Sequence, residues 1–593
     1  MNNLLFLALL TLLRGSRVNA AISRSLQAYE KISKNRECFR SLNGMMQAMK
    51  DLAEKYPHLM TINTIGESYI KKYGTSGINI TKYNVTYELP SGGYDILAFN
   101  ITASNSTRQS PDKGKMLIAS RVHAREWAAE LNARFIEALV EGYESDADIT
   151  SILERNEIHA ILYVNPDGSY IAERYPRSMW RKNLNPVGCD GGSGSGVDIN
   201  RNFDFMWGDT RGSSDDPCKL TYHGPSPNSE PETQALVDYA MKLFPEGQRK
   251  KKPEEQKDEA FGEDISGFYA DIHAFGRELY YPWGFDDIES PDDEAFQALG
   301  RKLHSFNGYR LCMLYEIGSR FHQPCPEFED EVVPKNLPSL IYAAKIAHKP
   351  FSLIKGPDVF GLEASHDNGV LHVSASASDG KMVNAIQISS EEFKNSSDYP
   401  TGSQVIEAVY VYLDQHPDDW QEGDIRWDMD AVDGSWDTNE ESVRLTVSTK
   451  DFPSGKHIVH LQAIDSLGYA GPVSSAFVNF VQESTPASPS FHQAAKGCLK
   501  RRNNEQQVDL CLANEHTSNI AVNCCSGSQQ SGDLTCSRPG CIQTMSYDEA
   551  KAHCESMSMR LCTTAELEAR VCCGKGCYFN KLPTWTSDMC EEI

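Results

Sequence analysis

The first 350 residues alternate between two patterns of apolar positions. Short, mainly apolar runs typical of buried strands occupy positions 116–120, 158–164, 268–272 and 311–315. Between them, apolar residues recur every three or four positions, the period of an amphipathic helix, at 45–52, 127–139 and 236–243. This alternation predicts an α/β domain with a mostly buried sheet over residues 37–350.

The pattern changes to period two beyond residue 350. Apolar and polar residues alternate at 405–412, 443–447 and 459–463, with turn signals between them. We therefore expect a small antiparallel β-sandwich over residues 351–482. A Pro/Ser/Thr-rich stretch then predicts a linker at 483–495.

The last hundred residues form a module of a different kind. Twelve of the 17 cysteines fall between Cys498 and Cys590, which predicts a cysteine-rich module at 496–593. The spacing lacks the paired CxxC of a zinc ribbon, so disulfides are favoured over a metal. Capping boxes at 546–549 and 563–566 predict two short helices.

The N-terminus has the features of a secretion signal. An apolar block at 4–13 and the small-residue site before Ala21 predict a cleavable signal peptide at 1–20, with a short membrane anchor as the alternative. No later segment has 18 continuous apolar residues, so no transmembrane segment is expected. A secreted protein with 17 cysteines would carry disulfides and at least one unpaired thiol; Cys38, Cys312 and Cys325 are left unassigned. Glycosylation sequons occur at Asn79, Asn84, Asn100, Asn105 and Asn395.

The net charge of the chain indicates which kinds of partner are disfavoured. The formal net charge is −25, and no basic stripe alternates with aromatic residues, which disfavours nucleic-acid binding. The segment 245–264 has a run of charged residues and no periodic pattern of apolar residues, which predicts an exposed insertion. The acidity itself indicates solubility.

The chemistry-bearing residues begin where the first buried run ends. His123 and Glu126 stand three residues apart just after the run 116–120, where both can face one metal ion. An HxxE pair alone is expected by chance in such a chain. Further motifs follow in order: Trp180-Arg-Lys182, Val197-Asp-Ile-Asn-Arg-Asn-Phe203, Asp271-Ile-His273 and Leu314-Tyr-Glu316. His273 closes an apolar strand, at the end of the sheet where α/β sites gather.

Together these motifs resemble zinc carboxypeptidases of the carboxypeptidase A type. The resemblance implies a mixed central sheet flanked by helices and one zinc ion (Zn²⁺) in the catalytic domain. It also implies a role for each matching residue: His123, Glu126 and His273 as metal ligands, Glu316 as general base, Arg181 as oxyanion stabiliser, Asn200 and Arg201 as the clamp for the substrate carboxylate, Arg125 as a further substrate contact, and Cys189–Cys218 as a disulfide. The sandwich region resembles the immunoglobulin-like appendage of some secreted bacterial zinc carboxypeptidases.

Two departures from that family change the expectations. Glu316 follows His273 by only 43 positions, and the missing stretch normally holds a substrate-covering tyrosine and the floor of the side-chain pocket. Neither can be assigned, so the preferred C-terminal residue is unreadable and weakened catalysis is expected, unless the chain lacks a coding segment. Only about twenty residues separate the predicted cleavage point from the catalytic unit, which predicts secretion without a globular zymogen segment.

The sequence supports two hypotheses. The first is a secreted zinc-dependent carboxypeptidase that hydrolyses the C-terminal peptide bond of peptides or proteins by promoted-water attack. The alternative is a catalytically weakened, peptidase-like binding protein that recognises C-termini or glycans, with glycan or surface docking through the C-terminal domains.

Overall fold

The computed structural model describes most of the chain. The described residues are 29–82, 85–104, 113–189, 195–209, 212–244, 257–286, 288–312, 315–380, 403–481, 491–496, 498, 510–514, 516–527, 532–577, 579 and 582–590. The predicted signal peptide, the sequons at Asn84, Asn105 and Asn395, and much of the 245–264 insertion lie outside them. The chain divides into two compact units, 1–481 and 482–593.

A mixed eight-stranded sheet organises the first unit, as the sequence predicts. Its strand order is β1-β4-β6-β5-β7-β10-β8-β9. The strands and one separate hairpin, β2–β3, are β1 (Met60–Glu67), β2 (Thr81–Lys82), β3 (Val85–Thr86), β4 (Asp95–Ile101), β5 (Gly114–Ser120), β6 (Asn156–Ile161), β7 (Phe268–His273), β8 (Glu278–Tyr280), β9 (Arg310–Cys312) and β10 (Tyr315–Glu316). The central strands β6, β5 and β7 are parallel to one another.

Helices accompany this sheet. They are α1 (Leu42–Lys55), α2 (Tyr69–Tyr73), α3 (Ala129–Gly142), α4 (Ala147–Arg155), α5 (Pro166–Arg174), α6 (Pro231–Leu243), α7 (Asp293–Asn307), α8 (Cys325–Glu327), α9 (Val333–Ile346) and α10 (Pro350–Leu353). The predicted helical stripe through Leu131, Phe135 and Leu139 lies on α3, and all three side chains are fully buried. Ser41 caps the N-terminus of helix α1, because its hydroxyl accepts a hydrogen bond from the Gly44 amide. The predicted layers of helix and sheet are thus confirmed.

The strand predicted at 311–315 is wrong as a single element. The chain there forms two strands with different partners: β9 pairs with β8, whereas β10 pairs with β7. An apolar run reports burial, but it does not report which neighbour a strand joins. On the other side of β10 the sheet continues with β8, which pairs with β10 at Glu316.

The predicted sandwich consists of two antiparallel four-stranded sheets, β11-β12-β16-β15 and β14-β13-β17-β18. Its strands are β11 (Asp358–Asp367), β12 (Val370–Ser378), β13 (Ile406–Leu413), β14 (Arg426–Asp428), β15 (Asp430–Ala431), β16 (Glu440–Ser448), β17 (Gly455–Asp465) and β18 (Ser474–Phe480). Inward-facing side chains of both sheets share one core, including Leu371, Val411 and Leu461. Arg155 of α4 joins the α/β domain to the sandwich, with N–O distances of 3.0 Å to Asp418 and 2.6 Å to Asp419.

The second unit is a small module held by disulfides. Its elements are β19 (Phe491–Lys496), β20 (Leu510–Ala513), β21 (Cys524–Ser526), β22 (Thr535–Ser537), α11 (Tyr547–Glu555), β23 (Arg560–Leu561), α12 (Thr564–Glu568) and β24 (Pro583–Cys590). Both predicted capping boxes are present, at α11 and α12. The linker predicted up to 495 is corrected: residues 491–496 form a strand paired with β24.

Eight disulfides account for sixteen of the 17 cysteines. Six join the twelve cysteines of the second unit, so the predicted disulfides are present there. Cys189–Cys218 forms as the resemblance implies, and Cys38 pairs with Cys325 across 287 positions. Such a framework suits an oxidising compartment. No helix among the described residues is long and apolar enough to cross a membrane.

Candidate metal centre

His123 and Glu126 lie in the loop between β5 and α3, as the sequence predicts. A buried arginine shapes this loop: Arg121 has a left-handed backbone (φ 57°), and its guanidinium donates to the Ala124 carbonyl at 2.7 Å. The same guanidinium is paired with buried Glu173 at 2.7 Å. The loop is also tied to the next motif, because the Ala124 amide donates to the Arg181 carbonyl.

Three side chains converge at the end of the sheet. Glu126 lies 2.8 Å from His123 Nδ1 through Oε1 and 2.8 Å from His273 Nδ1 through Oε2. The two Nδ1 atoms are 3.1 Å apart, and the three groups can present ligand atoms within 4.8 Å of one another. All three side chains are buried. The structure therefore brings the three predicted ligands together, although 147 positions separate Glu126 from His273.

Two carboxylates orient the histidine rings from outside. Asp198 Oδ1 lies 3.2 Å from His123 Nε2, and Asp271 Oδ2 lies 3.0 Å from His273 Nε2. The Asp198 carboxylate holds the proton of His123 on Nε2 and leaves its Nδ1 lone pair free to bind a metal. Asp271 faces His273 Nε2 at ion-pair distance.

The electrostatics of the cluster favour a cation. Burial alone would raise the pKa of Glu126, but His123 and His273 hold it well below its usual range. Burial would lower the pKa of His273, but the carboxylates of Asp271 and Glu126 raise it well above its ordinary value. Negative charge therefore faces the centre of the cluster, where a divalent ion would be stabilised.

Glu316 lies beside this cluster on β10. It pairs in register with His273 on β7, so its side chain is on the same face of the sheet. Burial, followed by the Glu126 carboxylate, raises the pKa of Glu316 to about 7. Its Oε2 is buried and has no hydrogen-bond partner among the described residues. Such a carboxyl group can exchange a proton near neutral pH.

Asp198 also fixes the two predicted arginines. Arg181 approaches Asp198 Oδ2 at 3.0 Å through both Nε and Nη2, and its Nη1 lies 3.9 Å from Glu126. Asp198 caps the 3₁₀ turn Ile199–Arg201 by accepting from the Asn200 amide. One fully buried carboxylate thus positions His123, Arg181 and the turn that carries Asn200 and Arg201.

Arg201 and Arg125 add positive charge to the site. Arg201 donates to the backbone oxygens of Gly212 at 3.1 Å and Asn200 at 2.8 Å, which orients its guanidinium. Arg125 lies 4.3 Å from the centre of the Phe321 ring. Its Nε is buried without a hydrogen-bond partner among the described residues. These side chains are suited to receive an anionic group.

A cleft of about 940 Å³ opens beside the cluster. Asn200, Arg201, Asp271 and Glu316 line it, so the predicted clamp and the predicted base face the same space. Clefts of this size are typical of binding sites for small molecules or peptide ends.

Residues 45–311 match the family model described as zinc carboxypeptidase. The chain carries a zinc carboxypeptidase domain. The match ends just before Glu316, so the candidate base lies outside it.

Relatives of this zinc carboxypeptidase domain include rat (Rattus norvegicus) carboxypeptidase A2, 29% identical over 280 residues, which are 46% of this chain and 54% of the relative. The inactive metallocarboxypeptidase ECM14 of Arthroderma otae is 27% identical over 36% of this chain and 33% of its own length. The carboxypeptidase A structure from Helicoverpa armigera covers 56% of this chain and 80% of that chain, at 18% identity and a TM-score of 0.41. The chain spans about half the length of the first curated relatives.

Several residues that support the candidate site were not assigned from the sequence. Asp198 and Asp271 lie within the sequence motifs given above. Their positions two residues before Asn200 and His273 were the signal that could have identified them. Glu230 gave no such signal. It is fully buried and accepts one hydrogen bond from Asn183 at 2.6 Å, while its backbone amide donates to the side-chain oxygen of Asn202. Glu230 therefore joins the segment after Arg181 to the segment after Arg201.

Proposed function

We propose that the chain is a secreted zinc metallocarboxypeptidase that removes single residues from the C-termini of peptides or proteins. One observation carries the proposal: the triangle of His123, Glu126 and His273 stands beside the same cleft that Arg201 and Glu316 line. A metal triangle, a base and a carboxylate clamp are what C-terminal peptide hydrolysis requires.

The donor set fits zinc. Two imidazole nitrogens and one carboxylate are the ligands that catalytic zinc sites use, with a fourth position left open. The outer carboxylates of Asp198 and Asp271 supply the orientation that such ligands need. When bound, zinc polarises the scissile carbonyl and activates a water molecule for attack.

The chain's own groups would complete the reaction. Glu316, with its raised pKa, would take the proton from the attacking water and return it to the leaving amine. Arg181, held by Asp198, would stabilise the negative charge that develops on the carbonyl oxygen. Arg201 and Asn200 would hold the terminal carboxylate, with Arg125 as a further contact. These interactions would set both the bond that is cut and the exopeptidase character.

A weakened, peptidase-like binding protein is the second candidate function. Strand β10, which carries Glu316, has only two residues, and it pairs with β7 only at the last two of the six β7 positions. A less constrained base positions a proton poorly, which lowers the rate. A relative of this chain is itself named an inactive metallocarboxypeptidase.

A peptide pool separates the two functions. The purified protein, loaded with zinc, is incubated with mixed peptides beside the matched variant Glu316→Gln, and the masses are followed. The proposal predicts ladders that lose C-terminal residues with the native protein alone. An unchanged pool from a protein that binds zinc stoichiometrically would establish the binding function instead.

Secretion is part of the same proposal. The eight disulfides support it, and cleavage after residue 20 is its expected mark. Mass spectrometry of protein collected from the medium should give an N-terminus at Ala21. Retention of the full-length chain in the cell would contradict the prediction.

A further inference from the structure

Lys182 follows Arg181 directly in the chain, and its side chain is fully buried. Its ammonium group donates a hydrogen bond to the Pro217 carbonyl at 2.8 Å. Burial lowers the pKa of Lys182 to about 8, whereas the carboxylates of Asp198 and Asp216 raise it, so the group is charged at neutral pH. Burying a charge costs stability, and an apolar side chain would fill the same space without that cost. Packing alone therefore does not explain a lysine at this position.

The Pro217 carbonyl belongs to a loop, residues 212–218, that contacts the proposed carboxylate clamp. Gly212 begins this loop, and its carbonyl accepts a hydrogen bond from Arg201 Nε at 3.1 Å. Cys218, one half of a disulfide described above, ends the loop. Lys182 thus holds the far end of a loop whose near end contacts Arg201.

The contact between Gly212 and Arg201 is close. A Cβ at position 212 would lie 3.3 Å from Arg201 Nη2 and 3.7 Å from Arg201 Nε. The loop backbone therefore packs directly against the guanidinium, and a shift of the loop would be passed to Arg201. Without the Gly212 carbonyl, the guanidinium would keep its bond to the Asn200 carbonyl but lose the bond that fixes Nε.

A second connection between Lys182 and the clamp runs through Tyr222. The Lys182 ammonium lies 5.7 Å from the centre of the Tyr222 ring, a distance at which a cation is attracted to an aromatic face. The Tyr222 carbonyl accepts a hydrogen bond from the Asp198 amide at 2.9 Å, and Asp198 caps the turn that carries Arg201. Lys182 therefore contacts both of the segments that hold the clamp in place.

We propose that Lys182 is a positioning residue for the carboxylate clamp: it holds the 212–218 loop at Pro217, and the loop orients Arg201 through the Gly212 carbonyl. The inference rests on the proposed function, in which Arg201 holds the terminal carboxylate of the substrate. A guanidinium that is oriented before the substrate arrives loses less conformational freedom on binding. Releasing the loop should therefore weaken binding of a terminal carboxylate about three- to tenfold and leave the other substrate contacts unchanged.

Matched acids and amides isolate this role. Zinc-loaded Glu316→Gln protein is titrated calorimetrically with N-acetylglycyl dipeptides that end in phenylalanine, leucine, lysine or glutamate, each as the free acid and as the C-terminal amide. The same titrations follow with Lys182→Met, which removes the hydrogen-bond donor, added to this protein. Lys182→Gln, whose amide is one bond too short to reach Pro217, is made in parallel. Lys219→Met, the same change at an exposed position of the same region, is the matched control.

We expect both Lys182 variants to weaken binding of the acids about three- to tenfold and to leave binding of the amides within about twofold. Lys219→Met should bind both forms as the parent protein does. When Glu316 is present and the acids are hydrolysed, the Lys182 variants should raise KM by the same factor, while kcat changes less than about twofold. A residue that only stabilised the fold would not produce this difference between acids and amides.

Each outcome decides one proposal. Unchanged binding of both forms, equal weakening of both forms, or a failure of both Lys182 variants to fold in melting curves would overturn the positioning role, and hydrolysis by the native protein would leave the proposed function standing. A preference for acids that depends on Lys182, without hydrolysis by the native protein, would uphold the positioning role and overturn the proposed function. Acids that bind the parent protein no more tightly than their amides would overturn the clamp and, with it, both proposals.

Discussion

Replacing Asp198 by asparagine should disable the site more than any change of equal size elsewhere. The Asp198 carboxylate is fully buried and contacts His123, Arg181 and the Asn200 amide at 3.0–3.2 Å. Burial would raise its pKa, but Arg181 and His123 hold it well below its usual range, so it is charged. Asparagine has the same shape, but it lacks the charge that Arg181 and His123 require.

The expected magnitudes follow from those contacts. Loss of a carboxylate that orients a metal-binding histidine lowers metal affinity by about 10–100-fold, or about 1.4–2.8 kcal/mol. In the proposed function Arg181 stabilises the oxyanion, and misplacing it should lower kcat by about 10²–10³. Breaking a buried ion pair costs about 3–5 kcal/mol of folding stability, and the remaining amide oxygen of asparagine favours the lower figure.

Three measurements check the prediction on one preparation. Zinc affinity is read by competition with a chromogenic chelator, kcat from hydrolysis of a blocked dipeptide, and stability from urea unfolding. Asp209→Asn, at an exposed position in the same region, is the matched control. If Asp198→Asn bound zinc and turned over substrate as well as this control, the proposed role of Asp198 would be refuted.

Three further predictions concern the Cys189–Cys218 disulfide around the proposed carboxylate clamp, His460 of the sandwich, and Glu316. Cys189 and Cys218 are 29 positions apart, and replacing both by serine removes the disulfide that closes this loop. The free energy of unfolding should fall by about 3–4 kcal/mol, which melting curves would show, and KM should rise in kinetic assays. Burial and Arg155 lower the pKa of His460 from 6.5 to about 3, so only the unfolded state gains this proton as pH falls below 6.5. Stability should therefore be lost between pH 6.5 and 3, and His460→Gln should flatten that part of the urea-unfolding profile; an unchanged slope would contradict this. As the proposed base, Glu316 would act when deprotonated, and a bound cation lowers a carboxyl pKa. The value of kcat/KM should therefore rise with pH along a limb centred below 7, and a limb centred above 7 would exclude Glu316 as the base.

Local patterns were sufficient to predict much of the fold. Strands β5, β6 and β7 each overlap one of the short, mainly apolar runs of the sequence, and helix α3 carries its apolar stripe at the expected spacing. His123 and His273 each stand just after or at the end of such a strand, so the meeting of the two histidines follows from parallel pairing. The strand pattern therefore carries information about the site as well as the core.

Contacts between distant segments were not readable. The role of Asp198 depends on a loop that lies 75 positions beyond His123, and Cys38 meets a cysteine 287 positions away. Glu230 supports both arginine segments only because the chain folds back on itself. The division of residues 311–316 into β9 and β10 likewise depends on which neighbours are nearby. Such facts belong to tertiary structure and leave no periodic signal.

In the proposed function, a metal site and a carboxylate clamp act together to remove C-terminal residues. The most direct measurement compares one peptide in two forms, with a free C-terminal carboxylate and with a C-terminal amide, after chelation and after addition of one equivalent of zinc. We expect that the free acid loses its last residue only in the zinc-loaded sample, and that the amide stays intact because Arg201 has no carboxylate to hold. Equal cleavage of both forms, or cleavage that survives chelation, would contradict it.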